Sequence, residues 1–175
     1  MAKTKNETGQ KLDRSILSKR IIRELMAAPS LAAPPGVGSP LREAGALVVR
    51  RKKRGRVRFL LISKRRSRAW GIPKGRLSPA LSFPETAAKE AFEEAGVTGM
   101  ISPSAICMFR SKKRAANPQV RLVIEVWVYL LEAVTQASEW PEKDKRAVRW
   151  VSAKAAAKSL REPTLAHLCM QIAKA

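Results

Sequence analysis

The segment from Ser82 to Gly96 constrains this chain more than any other. Ser82 and Glu85 stand in the S-x-x-E spacing that caps a helix start, and Pro84 is tolerated in a first turn. Gly96 occupies the place of a left-handed C-terminal cap. These signals predict a helix over Ser82–Ala95. At about 100° per residue, Glu93 and Glu94 fall within about 60° of Glu90. Ala88, Ala91, Phe92 and Ala95 form the opposite, apolar arc. Carboxylates three and four residues apart repel by about 0.2–0.5 kcal/mol per pair. An acidic surface stripe tolerates that cost, whereas a divalent cation over the face removes it. Mg2+ takes hard oxygen ligands and commonly bridges to phosphates. The helix alone does not separate these two readings.

Strand signals surround this helix. Ala46–Arg50 and Val57–Ser63 read as strands joined by a basic hairpin turn, Arg51–Arg56. Ala105–Phe109, Arg121–Leu131 and Arg146–Val151 read as further strands, followed by helices over Ser152–Leu160 and Thr164–Ala173. The pattern predicts an α/β fold with a mixed sheet between helices. Ahead of it, residues 11–28 repeat apolar side chains at helical spacing, and residues 29–40 are rich in Pro and Gly. The expected organisation is a basic amphipathic helix with a linker over residues 1–40 and a globular domain over 41–175. That first helix reads as packed on the domain or a second subunit, as lying on a membrane surface, or as a transit peptide. Asp13 and Glu24 count against the last.

Composition narrows the chemistry. His167 is the sole histidine, and Cys107 and Cys169 lack metal-binding spacing. Catalysis resting on His, Cys or zinc is nearly excluded, so the work falls on carboxylates, lysines or hydroxyls. The unpaired thiols fit a reducing compartment, and the chain is expected in the cytoplasm. No run reaches the ~20 apolar residues of a membrane helix. The 35 Lys and Arg against 14 Asp and Glu leave a formal charge of +21. Between Glu43 and Glu85 lie 13 basic residues and no acid. Such a field attracts polyanions, whether small polyphosphates, nucleic acid or anionic lipid. Aromatic residues make up only 5% of the chain and are sparse in the basic runs, so nucleic-acid binding is expected to be weak, indifferent to sequence and steeply salt dependent.

The stretch GRLSPALSFPETAAKEAFEEAGV, Gly75 to Val97, resembles the Nudix signature G-x5-E-x7-R-E-U-x-E-E-x-G-U, with U a bulky apolar residue. Trp70 and Ile72-Pro-Lys-Gly75 strengthen the likeness. Three positions depart from it: Leu81 replaces the first glutamate, Lys89 the arginine, and Ala91 the bulky apolar residue. Lysine keeps the charge but loses the planar fork. Trp140-Pro-Glu142, Arg146, Arg149 and Trp150 resemble, more loosely, a region of the diphosphoinositol polyphosphate phosphohydrolase branch.

The resemblance implies a Nudix-type α/β/α sandwich with a catalytic loop and helix. It implies a hydrolase that cleaves a phosphoanhydride in a diphosphoinositol polyphosphate or dinucleoside polyphosphate, using Mg2+ or alternatively Mn2+. Glu90, Glu93, Glu94 and Lys89 would form the catalytic set, and the general base among the glutamates is not set by the signature. Glu90, Glu93, Glu94 and the backbone carbonyl of Lys74 would hold metal, with Glu125 either a further ligand or a solvent-facing residue. Arg65, Arg68, Lys74, Arg76, Arg110, Lys112 and Lys113 would bind the phosphates. Glu85 is expected to cap the helix rather than replace the missing acid. Two other readings stand beside this one: a Nudix pyrophosphatase acting on ADP-ribose, nucleoside triphosphates or RNA 5′ ends, and a non-catalytic scaffold that binds polyanions. Either a monomer or a homodimer is compatible with the sequence.

Overall fold

The computed structural model describes residues 41–52, 55–63, 69–114 and 121–174. The expected N-terminal helix and linker, the tip of the basic hairpin, and Arg65 and Arg68 lie outside the described residues. In chain order the elements are β1 (Leu41–Arg51), β2 (Val57–Ser63), β3 (Trp70–Gly71), β4 (Lys74–Arg76), α1 (Phe83–Ala95), β5 (Val97–Arg114), β6 (Arg121–Gln136), a 3-10 turn (Lys143–Lys145), β7 (Val148–Val151), α2 (Ala153–Ser159) and α3 (Pro163–Lys174). The strands form one mixed sheet in the order β3-β2-β1-β6-β5, with β4 on β1 and β7 on β2. β1 and β6 run parallel, and the other pairs are antiparallel.

Alternation along the strands sends side chains to two cores. On one face Ala44, Ala46, Val48, Leu60, Ile62, Tyr129 and Leu131 meet Ala87, Ala91 and Ala95 of α1. On the other, Leu47, Val49, Phe59, Leu61, Val126, Val128 and Leu130 meet Ala153, Ala156, Leu160, Leu165, Cys169 and Ile172 of α2 and α3. Each large apolar side chain so buried contributes about 1.5–3 kcal/mol. The result is the expected α/β/α sandwich. Among the described residues no helix is long and apolar enough to cross a membrane. Cys169 is buried, Cys107 half-buried, and both are free thiols. His167 is exposed on α3.

Strand extents differ from the sequence-based expectation for identifiable reasons. β1 begins at Leu41 rather than Ala46, because Ala44, Gly45 and Ala46 are chosen for closeness and not for β propensity. A Cβ on Gly45 would lie 3.1 Å from Lys74 Cβ and 3.2 Å from the Pro73 carbonyl. β5 runs over Val97–Arg114, far beyond Ala105–Phe109, with register shifts at Thr98/Gly99, Ile101/Ala105 and Ala105/Cys107. The second shift absorbs Pro103, which has no ladder N–H to give. β7 starts at Val148 instead of Arg146, since the preceding residues turn through the 3-10 segment.

The caps of α1 are as expected. Ser82 Oγ accepts from the Glu85 N–H, and the Glu85 carboxylate accepts from the Ser82 N–H at 2.8 Å. Glu85 is thereby held below the ordinary carboxylate range by the Ser82 hydroxyl and N–H. Gly96 adopts φ +69, and a Cβ there would lie 2.6 Å from the Trp140 ring. Gly96→Ala is expected to cost about 1–3 kcal/mol, read as a lowered urea midpoint with the spectrum of the folded state unchanged.

Candidate active site

The short strand β4 lies against β1 with Gly75 opposite Ala44 and Lys74 opposite Gly45. This brings the loop after β3 to the C-terminal half of α1. The Lys74 N–H donates to Glu94 Oε2 at 3.0 Å. The Lys74 ammonium donates to Glu43 Oε2 at 2.6 Å, and the Glu43 side chain is 1% exposed. Gly75 faces Glu90 so closely that a Cβ would overlap the Glu90 carboxylate.

Glu94 is the most enclosed of the three helix glutamates. Its residue is 5% exposed. One oxygen takes the Lys74 N–H and the other an Nη of Arg146. Arg146 Nε also donates to Glu142 at 2.6 Å. Burial pushes the Glu94 carboxyl up to about 7, against the opposing pull of Arg146 and the Lys74 N–H, with Glu90 and Glu142 adding to the rise. Glu90 is raised as well, first by burial, then by Glu93, Glu142 and Glu43, with Lys89 acting in the other direction. Glu93 points outward and pairs with Lys89 at 2.6 Å. That partner raises the Lys89 ammonium above its ordinary value.

One sequence-based expectation is corrected. The wheel assigned Phe92 to the packed arc and Glu94 to the open face. The helix instead buries Thr86, Ala87, Ala91, Glu94 and Ala95, and Phe92 is 37% exposed. The wheel counts only the helix's own residues. β4 packs on it, and Glu142 and Arg146, on either side of the 3-10 segment, bond to Glu93 and Glu94, so Glu94 is enclosed by elements distant in sequence.

Glu125 stands elsewhere than Glu90 and Glu94 in its pairing. It lies between Arg42 on β1 at 3.8 Å and Arg110 on β5 at 3.5 Å, its register neighbours on both sides. Two acids that sequence reasoning did not single out, Glu43 and Glu142, act on Glu90, and Glu142 also acts on Glu94. Glu43 had one local signal, an acid at the start of an apolar strand pattern. Glu142 lay in the stretch noted for its Trp-Pro-Glu run.

The expected phosphate-binding residues divide between two clefts, each of about 230 Å3. Lys74, Arg110 and Lys112 line the first, with Trp70, Phe109 and Arg161. Arg76 lines the second, beside Arg42 and Glu43. Lys113 is in β5, but its side chain lies outside the described residues. The Arg149 guanidinium stacks on the Trp70 ring at 3.8 Å and so fixes one wall of the first cleft.

Among the described residues no three acidic, cysteine or histidine side chains already converge as a metal cage. Glu94 and Glu43 are instead engaged by Arg146 and Lys74. The donor set is nonetheless all oxygen, and Gly75 keeps side-chain atoms away from Glu90. That chemistry fits a hard divalent cation and not a soft one.

A profile of the NUDIX domain matches residues 40–169, most of the chain. The chain belongs to the Nudix family. Nudix hydrolase 13, mitochondrial, of Arabidopsis thaliana is 31% identical over 105 residues, which is 58% of this chain and 52% of that protein. Nudix hydrolase 12, mitochondrial, of the same plant is 28% identical over 103 residues, 58% of this chain and 51% of that protein. The Nudix chain thus spans about half the length of these relatives. Among solved structures, the Nudix domain of Shewanella oneidensis NrtR complexed with ADP ribose aligns with a TM-score of 0.57 and 16% identity, over 81% of this chain and 91% of that one. An Ap4A hydrolase of C. elegans aligns with a TM-score of 0.52 and 19% identity, over 77% of this chain and 96% of that one. At such identities the likeness is one of fold. Nudix hydrolases in general use divalent metal ions.

Proposed function

We propose that this Nudix chain is a metal-dependent hydrolase that cleaves a phosphoanhydride bond in a polyphosphorylated small molecule, of the dinucleoside polyphosphate or diphosphoinositol polyphosphate type. The carrying observation is the gathering of Glu94, Glu90 and Glu43 around the Lys74–Gly75 loop, next to a cleft rimmed by Arg110, Lys112 and Arg161. Glu90, Glu94 and Glu93, with the Lys74 carbonyl, are the proposed metal-holding groups, and Mg2+ is the proposed ion. When bound, the ion neutralises phosphate charge and lowers the pKa of coordinated water. The cations of the cleft hold the phosphate chain in line with the glutamates. Glu94, the deepest of the three and held from β4 and by Arg146, is the proposed general base among them. Lys89 steadies Glu93 at the rim.

The first cleft also favours a second reading. Beside its cations, its lining includes Trp70, Ile72, Phe109, Leu160 and Leu165. The aromatic and aliphatic part of that lining suits a planar base better than a ring carrying phosphate on every carbon. The named ligands of the two solved relatives, Ap4A and ADP ribose, carry adenine and agree with it. This supports the dinucleoside polyphosphate arm over the diphosphoinositol arm, and it keeps ADP-ribose as the alternative substrate. The names of the two plant relatives place them in mitochondria, so they lend no support to a cytoplasmic location.

The test is product analysis by ion-exchange chromatography with Mg2+, with Mn2+ and with chelator. The substrates are diadenosine penta- and hexaphosphate, a diphosphoinositol polyphosphate, nucleoside triphosphates, ADP-ribose and triphosphorylated RNA. Diadenosine polyphosphates are expected to turn over fastest, and only with metal. ADP-ribose as the best substrate would displace the proposed class. Tight binding of a substrate without turnover of any would make the chain a scaffold.

A further inference from the structure

Among the described residues, Arg146 is tied into the glutamate cluster from outside α1 by its whole guanidinium. Its guanidinium addresses acceptors on three separate elements: Glu94 on α1 through Nη2, Glu142 before the 3-10 turn through Nε at 2.6 Å, and the Ser63 carbonyl at the end of β2 through Nη1 at 3.4 Å. Its side chain is 15% exposed. The backbone that carries it is anchored at both ends. The Glu142 N–H donates to the Glu93 carbonyl at 2.9 Å, and the Ala147 N–H to Ser63 Oγ at 2.9 Å. Ser63 N–H returns a bond to the Ala147 carbonyl at 2.8 Å. A loop arginine serving only surface charge needs none of this.

The cation within the glutamate helix does not reach Glu94. Lys89 goes to Glu93, and that pair is far more open, with side chains 47% and 36% exposed. Glu94 therefore takes its orientation from outside α1. One oxygen accepts from the Lys74 N–H and the other is paired with Arg146 Nη2, so two donors from different elements fix the plane of the carboxylate.

We propose that Arg146 is the positioning residue for Glu94, holding the buried carboxylate in its working orientation and tying it to Glu142. The proposal rests on the hydrolase reading above for its kinetic consequence, but not for its effect on metal binding. A lysine at this place keeps the charge but lacks the planar, separately directed donors with which the guanidinium reaches Glu94 and Glu142.

The experiment compares the full chain with Arg146→Gln, Arg146→Lys and Lys89→Gln. Mn2+ affinity is read by paramagnetic resonance of free Mn2+, kcat and KM on the best substrate of the panel, and folding by thermal unfolding. If Arg146 positions Glu94, Arg146→Gln weakens Mn2+ by about fivefold or more and lowers kcat by about thirtyfold or more, with KM within about threefold. Arg146→Lys falls between that variant and the parent, and Lys89→Gln costs less than Arg146→Gln in both readings. Mere removal of a neighbouring positive charge would act in the opposite sense and tighten Mn2+. Unchanged or tighter Mn2+ binding by Arg146→Gln overturns the proposal, as does full kcat. If Arg146→Gln does not fold, Arg146→Lys is judged by the direction of the same two readings. If the parent binds Mn2+ yet turns over nothing in the panel, the hydrolase reading fails, and the Mn2+ comparison alone still decides the part played by Arg146.

Discussion

Glu94→Gln is expected to lower turnover at least about a hundredfold and, in metal-free protein, to remove most of the dependence of stability on pH between 5 and 8. Both effects come from one carboxyl. Burial raises it from an ordinary 4.5 to about 7. The folded protein thus holds this proton more tightly than the unfolded chain does. The stability gained from the proton is complete below about pH 4.5 and is lost as pH rises through about 7, because above that the fold must bury an ionised group beside Glu90 and Glu142. A displacement of that size corresponds to roughly 3 kcal/mol. Glutamine has nearly the same shape and no proton to lose. Its amide can accept from the Lys74 N–H or from Arg146 but not from both, so its absolute stability shifts too. The pH slope is the clean reading. Urea unfolding at pH 5, 6, 7 and 8 in chelator measures it in parent and variant. An equal slope in the two proteins would assign the titration to another group, and undiminished turnover in folded variant would remove Glu94 from the chemistry.

The parts of this fold that could be read in the sequence are those whose causes are local. α1 was legible at both ends because Ser82, Glu85 and Gly96 each act on backbone groups a few residues away. β2 was legible because Val57–Ser63 is a dense β-forming run. The starts of β1 and β5 were not. Ala44-Gly45-Ala46 and Thr98-Gly99-Met100 are poor strand formers in isolation. They are held extended by partners far along the chain, β6 for both and β4 for the first. The 3-10 turn has no side-chain cap of its own and exists where Glu142 and Ala147 are tied to α1 and β2.

The candidate site divides in the same way. Glu90, Glu93 and Glu94 could be picked out because helical spacing and the Gly75–Val97 pattern are properties of one segment. The depth of Glu94, the pairing of Lys74 with Glu43, and the reach of Arg146 are properties of the assembled sheet. The exchange of arginine for lysine at position 89 was readable as a lost fork. The arginine that does reach Glu94 comes from a turn after β6, and only the folded sheet brings it there.

Gly75→Ala tests the loop rather than the helix, and its expected result is a folded, inactive protein. Gly75 has no left-handed φ to protect; among the described glycines only Gly55 and Gly96 do. Its backbone lies in ordinary strand pairing with Ala44. An alanine therefore meets no backbone strain, and the nearest atoms in its way are those of the Glu90 carboxylate, which the new Cβ would overlap. A carboxylate is the mobile end of a flexible side chain, so the fold gives way there at small cost. The cost falls on function, because the group that moves is one of the proposed metal-holding glutamates. A displacement of about 1 Å at such a centre lowers turnover by about a hundredfold. Gly99→Ala provides the contrast. A Cβ there overlaps the Glu132 carbonyl on β6, which is backbone and cannot swing aside. That variant is expected to lose about 1–3 kcal/mol of stability while each folded molecule keeps its activity. Shortening the displaced side chain supplies the decisive arm. Glu90→Asp alone pulls the carboxylate back and loses turnover. If overlap with the new methyl is the cause of the Gly75→Ala defect, the double variant loses less than the product of the two single losses, since the shorter acid leaves room for the methyl. Losses that multiply independently would mean that Gly75 acts through something other than Glu90.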